Sequence, residues 1–453
     1  MASNGLVRRA KSLLQRLRGE GGAGRTFRGF SWLVLNKVTT LLAAVIVSIP
    51  VARYLGPSDY GILIFVLSFV AIAMPVASAG LENIVTKELV QRPDDQGTIM
   101  GTVFFLRKAL GFSVSGLFCI YCVIGPFPNE EIRLYAAVTT SAAILGNASI
   151  FQNWFVANHV LRPFAIAGTI KSLVFSAARI IFIVSEASLD VFIYVSALEL
   201  GLGGTIAWAC YRFSRKERLA FRVDKSLAYS LLRRSWPLAI SSVAAALYLK
   251  LDIILLTNLS SSSESGLYGA AARLSEIWYF IPSLLMTAMF PSFLEVHRRG
   301  GLEFQNFLQD LLDMLAAIGT FIALVVTATA PVIINLLYGP NYAPAATILV
   351  VHIWAGLFIF MRAVLSKWLV AEDLYIYSLV THASGAVANI GLNLVLIPRY
   401  GGLGAAIATL ISYSTSSYVS LLFSRRTRPM FWKMSKALFW PRRLPAMLVG
   451  GSK

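Results

Sequence analysis

Twelve apolar runs, each long enough to cross a lipid bilayer, dominate this chain of 453 residues. A helix rises 1.5 Å per residue, so about 20 apolar residues span the hydrocarbon core of a membrane. Inside lipid every backbone polar group needs a partner within the protein, and single runs of this length meet that need as helices. The sequence therefore predicts an all-α integral membrane protein. The spans are predicted at residues 30–54, 60–80, 101–124, 134–156, 164–184, 190–211, 236–258, 267–290, 313–337, 345–369, 376–397 and 402–424.

The composition agrees with that prediction. Hydrophobic residues make up 57% of the chain and charged residues only 14%, whereas a soluble domain devotes about a quarter of its residues to charge. This composition excludes a water-soluble protein. The chain has only three cysteines, so no disulfide framework is expected to hold the fold together.

Basic residues are concentrated in three segments. Residues 1–29, 212–234 and 425–453 hold 23 of the 40 Lys and Arg residues, in a chain of net charge +18. Basic loops remain on the cytoplasmic side of a membrane, so we expect both termini and the central loop to be cytoplasmic in a multi-pass cell (inner) membrane protein. Because these charges are dispersed as topology determinants, nucleic acid is not an expected partner.

The same segments divide the chain. The predicted organisation is a cytoplasmic basic amphipathic N-terminus at 1–29, an N-terminal six-helix lobe at 30–211, a basic cytoplasmic linker at 212–235, a C-terminal six-helix lobe at 236–424 and a basic aromatic cytoplasmic tail at 425–453. Residues 1–29 favour a helix lying on anionic membrane lipids, with a solvated basic tail as the alternative. The tail mixes Phe431 and Trp432 with cations, as interfacial anchors do.

A turn recurs at the first predicted external reversal of each lobe. Gly56-Pro57 followed by Tyr60-Gly61 in one lobe parallels Gly266 followed by Tyr268-Gly269 in the other. Glycine permits a positive φ and proline pre-sets the turn, so the pattern also has a purely structural explanation.

Four motifs in order resemble a known family. They are 53–61 (RYLGPSDYG), 251–256 with 266–274 (LDIILL and GLYGAAARL), 337–342 (LYGPNY) and 389–406 (NIGLNLVLIPRYGGLGAA). They resemble the polysaccharide-transporter branch, the Wzx-like O-antigen and exopolysaccharide flippases, of the multidrug/oligosaccharidyl-lipid/polysaccharide (MOP) superfamily. The resemblance covers about residues 27–424. It implies two six-helix lobes around a central cavity, with a lipid-diphosphate-linked oligosaccharide as cargo.

Cations predominate among the charged residues inside the predicted spans. A charge in hydrocarbon costs several kcal/mol, so such residues are expected to line a cavity or to form pairs. Arg and Lys in a water-filled cleft can replace the hydration of a diphosphate with charge-assisted hydrogen bonds. The sequence therefore predicts a cationic, substrate-binding cavity in which Lys37 and Arg273 are the strongest candidates. The full set is Lys37, Arg53, Arg179, Lys250, Arg273 and Arg362.

Each of these assignments has an alternative. Lys250 with Asp252, and Arg273 with Glu276, can form neutralising pairs that only pin helices together, and Arg273 is the more suitable partner for Asp252. Arg53 and Lys367, near span ends, can snorkel to the head groups, and Arg179 can face solvent on the external side. The acids Glu199, Asp252 and Glu276 are candidates for H⁺ or Na⁺ coupling or for charge pairing. Asn389, Asn393, Trp154 and Tyr279 are candidates for sugar contacts or for contacts between helices.

Nothing in the sequence indicates catalysis. The four histidines are scattered, Cys119 and Cys122 lie within an apolar span, and no nucleotide-binding loop is present. We therefore expect a flippase that moves its cargo from the cytoplasmic to the outer leaflet by alternating access, with no metal and no cofactor. Polymerase and chain-length proteins of the same pathway are candidate partners. The alternatives are a cation-coupled multidrug antiporter of the same fold and a membrane-embedded polysaccharide polymerase or ligase.

Overall fold

The structure, a computed structural model, describes residues 22–147, 149–158, 160–214 and 221–439, with most side chains from residue 46 onward. Most of the predicted N-terminal amphipathic helix and the end of the basic tail lie outside the described residues. The Lys37 side chain also lies outside the described part, although its backbone is described. The described helices are α1 (Gly22–Ser78), α2 (Leu81–Gln91), α3 (Gln96–Ile124), α4 (Glu130–Leu145), α5 (Ser149–Ala157), α6 (Leu161–Val184), α7 (Leu189–Ser214), α8 (Lys225–Leu259), α9 (Ser262–Glu276), α10 (Phe280–Arg299), α11 (Gly301–Tyr338), α12 (Ala345–His352), α13 (Ala355–Ala371), α14 (Tyr375–Ser417) and α15 (Arg428–Leu438). Short 3₁₀ helices lie at Pro93–Asp95, Ile277–Tyr279, Pro340–Tyr342 and Val419–Phe423.

Two of the long helices each contain a glycine kink. α1 is broken at Gly56 and α14 at Gly401, where φ is 73° and 52°. These are left-handed backbone conformations that glycine adopts without a steric penalty. Both kinks fall in the turn motifs that the sequence analysis singled out, so each long helix consists of two segments.

The apolar helices agree with a membrane protein of about twelve spans. Among the described residues, eight stretches are long and apolar enough to cross a membrane, or ten if the two bent pairs Lys225–Leu259 and Ser262–Arg299 each count as one span. Counting the segments on either side of Gly56 and Gly401 separately gives the predicted twelve. The all-α architecture of the described residues is therefore that of a multi-pass membrane protein.

The two predicted lobes contact each other at the predicted external end, between α1 and α9. A Cβ added to Gly61 would overlap the carbonyl oxygen of Ser262, and one added to Gly266 would overlap that of Pro57. The helix backbones can approach this closely only because both positions are glycine. A hydrogen bond of 2.8 Å from the Tyr342 hydroxyl to the Ala52 carbonyl joins the same two halves.

The predicted cytoplasmic end also has contacts between the halves. The Glu88 carboxylate on α2 forms a 2.7 Å salt bridge with the Arg234 guanidinium on α8. Asp224 caps α8 by accepting hydrogen bonds from Ser226 and Leu227, which lower the pKa of its carboxyl group. Since α7 reaches Ser214 and α8 begins at Lys225, much of the predicted linker 212–235 is helical.

The predicted aromatic tail begins with a helix that is docked on the protein. α15 buries Met430, Met434 and Ala437 in a cluster shared with α11 and α13. Its Lys433 ammonium donates a 2.9 Å hydrogen bond to the carbonyl of Gln305. Trp432 is an exposed large hydrophobic side chain on this helix, at a position where the sequence predicts an interfacial anchor.

Candidate functional site

A polar cavity of about 200 Å³ lies where α1, α6 and α7 of the first half meet α9 of the second. We call it the central pocket. Its apolar wall comes from α1, and its polar groups come from the other three helices and from Ser48 and Tyr60. The lining residues are Val47, Ser48, Val51, Tyr60, Leu63, Ile64, Leu67, Ser172, Ser176, Arg179, Ser196, Glu199 and Arg273.

An ion pair occupies the α6–α7 side of the central pocket. Arg179 donates a 2.7 Å hydrogen bond to the Glu199 carboxylate and a 3.2 Å bond to the Ser196 hydroxyl. The two charged side chains are only 19% and 21% exposed, so water screens their attraction weakly. Ser172 and Ser176 precede Arg179 at helical spacing and place hydroxyls on the same face of α6. Arg179 therefore faces a cavity between helices.

Arg273 is the cation that the second half contributes to the central pocket. It lies on α9 and lines the same cavity as Arg179 and Glu199. Two of the six predicted cations, one from each half of the chain, are thus brought together. A pocket with two guanidinium groups and one carboxylate has a net positive lining, which suits an anionic group.

Lys250 forms a pair that differs from both predicted pairings. Its ammonium lies 3.1 and 3.0 Å from the two carboxylate oxygens of Glu276, so the salt bridge joins α8 to α9. Lys250 and Glu276 point toward each other because α8 and α9 are neighbours in the fold. Arg53, by contrast, is exposed at the kinked end of the first span and lies near Gly339.

Asp252 lies in a buried polar network. Its side chain is only 2% exposed and accepts hydrogen bonds of 2.7 Å from Tyr268, 2.7 Å from Thr409 and 2.6 Å from Asn393. The sequence predicted Arg273 as its partner, whereas these three donors are neutral groups on α9 and α14. The amide oxygens of Asn393 and Asn389 are buried and accept no hydrogen bond from any residue that the structure describes. Carboxylate, amide and hydroxyl oxygens are ligands that suit a hard cation.

Arg362 lies in a second cavity, of about 290 Å³, between α10 and α13. We call it the inner pocket. The Arg362 guanidinium donates 2.7 Å to the Ser416 carbonyl and 3.2 Å to the Thr381 hydroxyl, which fix its orientation. The lining residues are Tyr279, Pro282, Ser283, Met286, Thr287, Ile359, Arg362, Ala363, Ser366 and Lys367.

Arg107 is a buried cation that was not among the residues predicted from the sequence. This residue is 6% exposed in α3, and none of its three guanidinium nitrogens has a hydrogen-bond partner among the described residues. It is a charge inside a predicted span, the same signal that selected Arg179. The serines of the central pocket were also missed, although their helical spacing with Arg179 could have identified them.

Two residues predicted as sugar contacts or helix contacts take part in contacts between helices. The Trp154 indole donates a 3.0 Å hydrogen bond to the Gln96 side chain, and Asn393 donates to Asp252. No group of three or more His, Cys, Asp or Glu residues able to hold a metal ion occurs within the described part of the chain.

Comparisons with known proteins identify the family. A family model described as a polysaccharide biosynthesis protein matches residues 26–297. A similar protein, the probable low-salt glycan biosynthesis flippase Agl15 of Haloferax volcanii, is 21% identical over 402 residues, which cover 82% of this chain and 79% of Agl15.

Solved structures with the same fold are also found. An inward-facing multidrug resistance MATE family transporter of the MOP superfamily has a TM-score of 0.68 at 12% identity, with 90% of this chain and 99% of that chain covered. The lipid II flippase MurJ, in an inward closed conformation, has a TM-score of 0.68 at 14% identity, with 90% and 91% covered. The family model covers more than half of the sequence. The chain therefore belongs to the polysaccharide biosynthesis protein family and has the fold of these transporters of the MOP superfamily.

Proposed function

We propose that this protein flips a lipid-diphosphate-linked oligosaccharide, an O-antigen or exopolysaccharide repeat unit, from the cytoplasmic to the outer leaflet of the inner membrane. The observation that carries the proposal is the meeting of Arg179 and Arg273 in one cavity between the lobes. Both termini are cytoplasmic in this proposal, which agrees with the distribution of basic residues. The family match and the likeness to Agl15, a probable glycan biosynthesis flippase, support the cargo class.

The chemistry of the central pocket fits the head group of such a cargo. A diphosphate that crosses lipid alone loses its hydration and pays the Born cost of its charge. Guanidinium groups offer planar, paired donors that match phosphate oxygens, and the pocket hydroxyls supply further donors. Because Arg179 and Arg273 come from different lobes, rocking of the lobes changes how both contact one phosphate. This gives alternating access a physical basis at the site.

The Asp252 network is the proposed coupling site. A buried carboxylate beside hydroxyl groups, with amide oxygens that accept no hydrogen bond from the described residues, offers the oxygen ligands that a hard cation such as sodium prefers. Its ligands lie on α8, α9 and α14, so occupation changes the contacts among three helices of one lobe. Asp252→Asn is expected to reduce transport at least tenfold and to abolish its dependence on the coupling ion. Transport that keeps the same ion dependence in this variant would remove Asp252 from the coupling step.

The central experiment depletes the protein in cells and measures lipid-linked oligosaccharide on the cytoplasmic leaflet. Accumulation there, with the glycan identified, is expected. Complementation with the unaltered protein should clear it, and Arg273→Gln should not. The matched control is Arg298→Gln, an exposed arginine on the span that continues from Arg273 through α10.

Two results would contradict the proposed function. The first is an unchanged level of cytoplasmic lipid-linked oligosaccharide after depletion. The second is full complementation by Arg273→Gln at normal protein levels. Export of cationic drugs by the purified protein, without movement of glycolipid, would instead favour the alternative function of a multidrug antiporter, since a multidrug resistance transporter has the same fold.

A further inference from the structure

The inner pocket is a cationic cavity on the predicted cytoplasmic side of the central pocket. Its lining residues from Tyr279 to Thr287 follow Arg273 by 6 to 14 positions along the same bent span, which is about 9–21 Å along a helix axis. On α13, Lys367 lies four residues before the helix end at Ala371, about 6 Å along the axis. The inner pocket therefore extends from near the predicted cytoplasmic end of the span toward the central pocket.

The exposed side chains of the inner pocket are polar. Ser283 and Thr287 on α10 and Ser366 on α13 are all exposed within apolar spans. Helix faces that meet lipid look different, as α11 shows with exposed Phe321 and Leu336. Thr287 and Ser366 donate hydrogen bonds to carbonyls one turn back on their own helices. Together with Arg362 and Lys367 these hydroxyls give the cavity a polar lining that differs from a lipid-facing surface.

The charge of the inner pocket is positive and carries no local acid. Arg362 and Lys367 line it, and no Asp or Glu is among its described lining residues. Arg362 is fixed by Ser416 and Thr381, so it presents a pre-oriented guanidinium. The Lys367 ammonium lies 4.6 Å from the centroid of the Phe290 ring, a cation–π contact that holds it beside the cavity.

We propose that the inner pocket is a loading site that binds an anionic group of the glycolipid before the central pocket does. This inference rests on the proposed function, because it assumes a lipid-linked cargo that arrives from the cytoplasmic leaflet. The phosphates of an inner-leaflet lipid lie at the membrane surface. Of the cations that line the two pockets, Lys367 is therefore the first that these phosphates reach. Arg362 then supplies a deeper donor, and the hydroxyls of Ser283, Thr287 and Ser366 can replace water around the anion.

Two sources could supply that anion, the diphosphate linker or an acidic sugar of the glycan, and the test separates them. The full-length protein in neutral lipid nanodiscs is titrated with three probes. These are a polyprenyl diphosphate without sugar, the same lipid with a neutral trisaccharide, and the same lipid with a trisaccharide that contains glucuronic acid. Dissociation constants are compared for Lys367→Gln, Lys367→Arg and Ser283→Leu. Lys108→Gln, which removes a span lysine outside both pockets, is the control.

Lys367→Gln is expected to weaken binding of all three probes about tenfold, the loss typical of one charge-assisted hydrogen bond. Ser283→Leu should have a similar effect by filling the pocket, whereas Lys367→Arg and the control should stay within about twofold of the unaltered protein. Weakening confined to the glucuronic acid probe would support the loading site and identify the sugar as its anion. If the Lys367→Gln variant binds every probe as tightly as the unaltered protein, the loading site is overturned.

The same titration separates failure of this inference from failure of the proposed function. If the unaltered protein binds none of the probes, the proposed function fails, and the inference fails with it. If the unaltered protein binds them and Arg273→Gln weakens binding while Lys367→Gln does not, only the loading site is lost. Arg362 is left unaltered because its replacement would also remove two hydrogen bonds that join three helical segments.

Discussion

The central pocket and the inner pocket each present two cations, but only the central pocket pairs a cation with an acid. Arg179 is held by Glu199, whereas the described lining of the inner pocket contains Arg362 and Lys367 without a carboxylate. A cation held by an acid gives up one interaction when it binds an anion, so its net gain is smaller. In the proposed transport cycle, this difference suits the inner pocket to capture and the central pocket to reversible exchange.

The largest expected effect comes from breaking the central pair. Arg179→Gln leaves Glu199 half-buried without its partner, and loss of one member of such a pair typically costs about 3 kcal/mol of unfolding free energy. Because Arg179→Gln with Glu199→Gln removes both charges, the double variant should recover most of that stability. Thermal unfolding in detergent measures the stability of the single and the double variant. A single variant as stable as the double variant would show that the two charges are not coupled.

Much of the fold was predictable because hydropathy is a local signal. The predicted spans coincide with helices that the structure describes, and the turn motif at Gly56 marks a kink between two of them. Glycine in a turn motif predicts a positive φ from backbone sterics alone. The sequence did not predict the helical parts of the linker at 212–235. Outside the lipid, charged residues are compatible with both helix and loop, so hydropathy does not distinguish the two.

The candidate site was predictable as single residues but less well as pairs. A charge in an apolar run is visible without a structure, which identified Arg179, Arg273 and Arg362. Partners are set by which helices become neighbours, so the pairing of Lys250 with Glu276 could not be read from their separation of 26 residues. The donors to Asp252 from α14 lie 141 and 157 residues away, beyond any local pattern.

A second prediction concerns adding an acid to the inner pocket, so that its cations are paired as Arg179 is in the central pocket. Ser366→Glu places a carboxylate one turn after Arg362 and next to Lys367, where it can pair with either cation. Binding of polyprenyl diphosphate should weaken about tenfold, since the anion must then displace the new carboxylate. Ser366→Gln has the same size without the charge and should bind nearly normally. Equal affinity for the two variants would mean that charge at the inner pocket does not matter.

A third prediction removes the acid from the central pocket. In Glu199→Gln, Arg179 no longer exchanges between the carboxylate and the cargo, so we expect severalfold tighter binding of polyprenyl diphosphate but slower release. Titration and single-turnover transport in proteoliposomes measure the two effects. Tighter binding with unchanged transport would contradict a role for Glu199 in release. Weaker binding would show that Glu199 mainly orients Arg179.

The smallest expected effect is a difference in salt dependence between the pockets. Mobile ions screen exposed charges over about 10 Å at 0.1 M salt, but they screen buried pairs much less. Raising NaCl from about 0.05 to about 0.5 M should therefore weaken anion binding a few-fold, mostly through the inner pocket. Lys367→Gln should flatten this dependence, whereas Glu199→Gln should leave its slope unchanged because the central pair is only about a fifth exposed. If Lys367→Gln keeps the full salt dependence, the screened interaction lies elsewhere, and capture cannot be assigned to the inner pocket.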